Sequence, residues 1–152
     1  MKSLIFAIAL MFQMVSAATA IVPPREVQEL VKPVLDLCVE AEASQGERQN
    51  VQVFQYGKLL GALFQIKTKA SDEALVVLMN FYVGESLGED LLHQVTVRGK
   101  RMLPLLLKYR NAPVSFSERK YPLSLLLTRE VREEDFSNAI NSVRAGKVFG
   151  ED

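Results

Sequence analysis

The chain has 152 residues, 18 Lys and Arg against 18 Asp and Glu, one histidine and one cysteine. Its balanced charge argues against nucleic acid as a partner, because that binding relies on clustered cations that displace counterions. The single cysteine, Cys38, excludes an internal disulfide framework, so the fold must be held by packing.

The first 20 residues, MKSLIFAIALMFQMVSAATA, combine one cation at Lys2, an apolar core from Leu4 to Met11 and small residues at the end. That pattern predicts a signal peptide cut before Ile21, at Ala18-Thr19-Ala20, or alternatively before Ala18. The apolar core is shorter than the roughly 20 residues that span a bilayer, so cleavage is favoured over anchoring. Removing 20 of 152 residues leaves 132, with 17 cations against 18 anions, enough for one helical domain over 21–152. The expected location is the periplasm or the external medium, and the absence of an Asn-x-Ser/Thr sequon is compatible with a bacterial origin.

After Pro23-Pro24, apolar residues at Val27, Leu30, Val31, Val34, Leu35 and Cys38 repeat at helical spacing. Pro33 lies within the run, which predicts a kinked helix or two short ones. Cys38 sits on the apolar stripe and reads as a small buried hydrophobe rather than a redox group. A polar break over 44–50 leads into 51–68, where a helix is favoured over a hairpin turning at Gly57 to Gly61. In the helix, each glycine costs about 1 kcal/mol against alanine, a cost that close approach of a neighbouring helix would offset.

Ser71, followed by Asp72 and Glu73, predicts the N-cap of a helix running to about Val83. That helix is apolar all round except at Asn80 and so reads as the central element. Next comes GESLG, Gly84 to Gly88, which has the spelling of a serine-hydrolase nucleophile elbow. Catalysis there needs a histidine able to deprotonate Ser86, and the only one, His93, follows seven residues later in the next helix. The alternative takes Gly84 as a helix end and Ser86-Leu87-Gly88-Glu89 as a capping box, with Ser86 as N-cap. His93 is then an exposed histidine one turn beyond Glu89, and no third ligand stands near enough for a metal site. No phosphate-binding loop or dinucleotide fingerprint occurs, so no cofactor is expected.

The stretch RGKRMLPLLLKYR places five cations, Arg98, Lys100, Arg101, Lys108 and Arg110, around an apolar stripe. They read as a solvated face, with contact to an anionic surface as the less favoured alternative. Leu123 to Leu127 predicts a strand or a short buried helix. The last helix is expected from Asp135, as its cap, to Arg144, ending at Gly146. No internal repeat emerges.

These elements predict a mainly α domain of five to seven short helices packed as helical hairpins, HEAT-like in appearance. The alternative is an α+β domain with a hairpin near 51–68. The sparse catalytic inventory points to a non-enzymatic exported protein that binds another exported or envelope protein to protect, inhibit or scaffold it. A small secreted serine hydrolase using Gly84-Ser86-Gly88 and a peripheral envelope-associated protein are the alternatives.

Overall fold

The computed structural model describes residues 19–117 and 120–151, and the signal-peptide expectation rests mainly on residues 1–18, outside them. Among the described residues there are six α-helices and no strand, only two isolated bridges. One bridge ties the start of the predicted mature chain: Ile21 donates to Pro113 O at 2.8 Å and accepts from Ser115 N at 2.9 Å.

Helix α1, Arg25–Ala43, buries Val27, Val31, Val34, Leu35 and Cys38 of the predicted stripe and leaves its sixth member, Leu30, half-buried. It runs on without a break through Pro33. The proline is exposed, as is Glu29 one turn back, so the carbonyl that loses its amide partner faces water rather than the core. Helix α2, Glu47–Gln65, packs along α1 and replaces the possible hairpin at 51–68 with a continuous helix. The expected close approach at its glycines does not form. A Cβ on Gly57 would meet only the Leu87 side chain, at 3.7 Å, and one on Gly61 would meet nothing.

Helix α3, Lys69–Leu78, is the central element, with every residue from Ala74 to Leu78 buried. It packs against α1 on one side and, more lightly, against the later helices. Its cap is Thr68 and not Ser71. Thr68 Oγ1 accepts from Ser71 N at 3.1 Å while Ser71 Oγ accepts from Thr68 N at 2.9 Å, so the two hydroxyl residues form a reciprocal box one turn earlier than expected. The helix also stops at Leu78, short of Val83. Asn80 is responsible, because its side-chain amide donates to the carbonyls of Val76 and Val77 and competes with helical amides for them. The 122–127 segment then takes over the backbone pairing, with Tyr82 N donating to Leu125 O and Leu127 N to Asn80 O. Leu123 to Leu127 is therefore neither strand nor buried helix. It is a 3-10 turn, Leu123–Leu125, with Leu123 84% exposed and Leu125 buried, followed by a bridge from Leu126 to Phe81.

Helix α4, Glu85–Val97, leads through the 3-10 turn Gly99–Met102 into α5, Leu103–Arg110. The last helix, α6, Arg129–Ala145, packs on α5 and α4. It starts six residues before Asp135, because Thr128 Oγ1 accepts from Val131 N and caps it there. Its end is as expected: Gly146, at φ 67°, lets Lys147 N reach Ser142 O at 2.8 Å and closes the helix with the paired bonds of a Schellman motif. One apolar cluster drawn from all six helices forms the core.

Candidate functional site

Between α3 and α4 the chain passes through Phe81, Tyr82, Val83 and Gly84, and this linker, the first turns of α4, the first half of α6 and Phe149 enclose a cleft of about 370 Å³. Its floor is apolar, from Phe81, Val83, Leu92 and Leu127. Its walls carry four carboxylates, Glu85, Glu89, Glu134 and Asp135, and none of the lining residues is Lys or Arg. Burial, reinforced by the neighbouring Glu134, pushes the Asp135 carboxyl above the usual carboxylate range. Asp135 therefore takes up a proton before the ordinary carboxylates as pH falls.

Gly84 makes this arrangement possible. At φ 96° and ψ 155° it occupies a conformation that side-chain-bearing residues rarely adopt, and it turns the chain from the linker into α4. Gly84 itself is the N-cap, and its carbonyl accepts from Gly88 N at 2.9 Å. Ser86 is therefore not the cap. It is the second residue of the helix, exposed, and forms no capping box with Glu89. No strand-to-helix elbow lifts it either, since the residues before Gly84 form a bridge and not a strand. His93 lies two helical turns away, about 10 Å along the axis, beyond hydrogen-bonding reach of Ser86.

His93 also differs from its expected role. It is half-buried, and its Nδ1 lies 2.9 Å from Phe149 O; because a carbonyl only accepts, the ring carries a hydrogen on that nitrogen. One turn on, Thr96 Oγ1 accepts from Phe149 N at 2.8 Å. The two side chains thus hold both backbone groups of Phe149 and fix the C-terminal segment as one wall of the cleft. Sequence reasoning missed this clasp because 56 residues separate its partners, with no local pattern linking them.

Of the five cations of 98–110, Lys100, Arg101, Lys108 and Arg110 are exposed, as expected of a solvated face, and Arg98 is the exception. Arg98 is buried, its side chain 1% exposed. Its Nη1 donates to Ser71 Oγ at 3.0 Å and Asp72 Oδ1 at 2.8 Å, and its Nη2 to the carbonyls of Phe64 and Ile66. It joins the end of α2 to the start of α3 and leaves only Nε without a partner. Arg101 also reaches Asp72, and Lys108 and Tyr109 share Glu73, Tyr109 donating at 2.5 Å. Burial and the Glu73 carboxylate both keep the Tyr109 phenol protonated well above its usual range. A further cation, Arg132, donates to Asn80 and to the carbonyls of Tyr109, Arg110 and Ala112, closing the end of α5.

Among the described residues, no group of three or more His, Cys, Asp or Glu is placed to hold a metal ion, and no helix is long and apolar enough to cross a membrane. Comparison with protein-family models, curated proteins and solved structures finds no significant match.

Proposed function

We propose that the chain is an exported, non-enzymatic binding protein that grips another exported or envelope protein through the cleft at the start of α4. The observation that carries this reading is the cleft's composition: an apolar floor, four carboxylates and no cation in the lining. Such a surface selects a segment that presents an apolar side chain beside Lys or Arg, because the floor rewards burial while the walls reward positive charge. The rest of the partner's surface is excluded from the cleft by its size.

Export rests on the N-terminal sequence, with its apolar core and small-residue cleavage pattern. The hydrolase alternative has less support, since activating Ser86 requires a base within hydrogen-bonding reach and His93 is committed to Phe149. Co-purification of the tagged protein from its host's exported fraction tests the proposal. A partner retained by the wild type should be lost from the Glu89→Lys/Glu134→Lys double variant and weakened in the wild type as pH falls and Asp135 takes up its proton. Retention of the same partner by the double variant would move binding elsewhere on the molecule. Labelling of Ser86 by a fluorophosphonate would replace the binding proposal with a hydrolase.

A further inference from the structure

Helix α2 packs one side against α1 and leaves the opposite side uncovered. Taking about 100° per residue, Gln52, Tyr56, Leu60 and Leu63 cluster on the inner side. On the outer side, Phe54, Lys58, Val51 and Ala62 fall within about 80° of arc, with the polar Glu47 and Gln65 among them, while Leu59 lies nearer the inner edge. Phe54 is 64% exposed and Val51 55%, with Leu59 and, just past the helix end, Ile66 also open to water. Single exposed hydrophobes are ordinary, but an aromatic and several aliphatics gathered on one uncovered helix are not.

The charge along them is mainly positive. From Glu47 to Ser71 the chain carries Arg48, Lys58, Lys67 and Lys69 against a single carboxylate, Glu47, in the first turn. Lys58 stands in the middle of the outer face, its Nζ 4.7 Å from the centroid of the Phe54 ring. Three occupants can be weighed on this basis. A second copy meeting the same face about a two-fold axis would bring two surfaces of the same net positive charge together. A folded acidic protein would need a shape-complementary cavity for a single convex helix. A fluid anionic bilayer needs none: Phe54 and Val51 can enter the headgroup boundary while the lysines reach the phosphates.

We propose that the outer face of α2 docks the protein onto the surface of an anionic lipid bilayer. This assigns lipid contact to 48–69, not to the cations of 98–110, most of which are paired or buried within the fold. It is independent of the cleft: protein capture can fail while lipid docking holds, and the reverse.

The chain contains no Trp, so Phe54→Trp creates a single fluorescent reporter at the centre of the face. With vesicles of mixed phosphatidylglycerol and phosphatidylethanolamine its emission should shift to the blue, and added salt should reverse the shift. With phosphatidylcholine vesicles the shift should be much weaker. Adding Lys58→Glu and Lys67→Glu should reduce apparent affinity for the anionic vesicles by about tenfold or more, with circular dichroism unchanged. That loss also separates α2 from any apolar N-terminal segment retained on the chain. No shift with anionic vesicles overturns the proposal, as does equal binding to both vesicle types. A shift that grows with protein concentration alone assigns the face to a second copy. A shift with the host's exported proteins, but not with vesicles, assigns it to a protein.

Discussion

Two regions of this molecule each hold one side chain in a setting opposite to the one its type predicts. The 98–110 stretch is crowded with cations and reads as surface, yet Arg98 is among the most buried side chains and fastens the start of α3 to the end of α2. The 51–66 stretch is rich in apolar residues and buries Tyr56, Leu60 and Leu63, yet Phe54 stands in water. Composition fixes what a side chain costs to bury, but partners decide whether it is buried. Arg98 meets a carboxylate, a hydroxyl and two helix-end carbonyls, which replace most of its hydration. Phe54 is on a helix with only one close neighbour, α1, on the opposite side.

The contrast breaks most sharply at Arg98. Arg98→Met removes one partner of a buried pair and leaves Asp72 and two carbonyls short of donors, so it should cost about 3–5 kcal/mol in denaturant unfolding. Arg101→Gln, at a side chain 53% exposed on the same carboxylate, should cost no more than about 1 kcal/mol. Equal losses from the two would mean that Arg98 is no better buried than its neighbour.

A pH titration sharpens the contrast on the α1 side, where Cys38 is packed in the core. Burial pushes its thiol from 9.0 up to about 12, so the folded state holds this proton more tightly than the unfolded chain. The contribution is fully present below pH 9 and is lost as pH rises toward 12. Alkaline unfolding curves should therefore be shallower for Cys38→Ala than for the wild type, and native Cys38 should resist alkylation at neutral pH until the protein unfolds. Rapid native-state alkylation would contradict its burial.

On α2, Gly61→Ala should raise stability by about 0.5–1 kcal/mol, since a Cβ there meets no neighbour and alanine favours the helix. A loss would reveal a close contact at that position. Smallest of all, Phe54→Ser and Ser86→Ala should each change stability by under about 0.5 kcal/mol, because both side chains are exposed and Ser86 caps nothing. A cost of 1 kcal/mol or more at Ser86 would restore it as a helix cap.

By itself the sequence determined what depends on neighbours a few residues apart. The stripe of α1, the helical nature of α2, the buried α3 and the Gly146 stop all follow from periodicity or a local backbone requirement, and all are present. Helix starts were legible only to within one or two turns, because Thr68 and Ser71, or Thr128 and Asp135, offer similar capping oxygens and the wider packing selects between them. The cleft was visible only as GESLG, and that spelling suggested a different use for it. Its other walls come from α6 and Phe149, brought there by tertiary folding. The same holds for the partners of Arg98, 26 to 34 residues away, and for the clasp on Phe149. A charge pays a large desolvation penalty or almost none according to what folding places beside it, and no local pattern encodes a neighbour that distant.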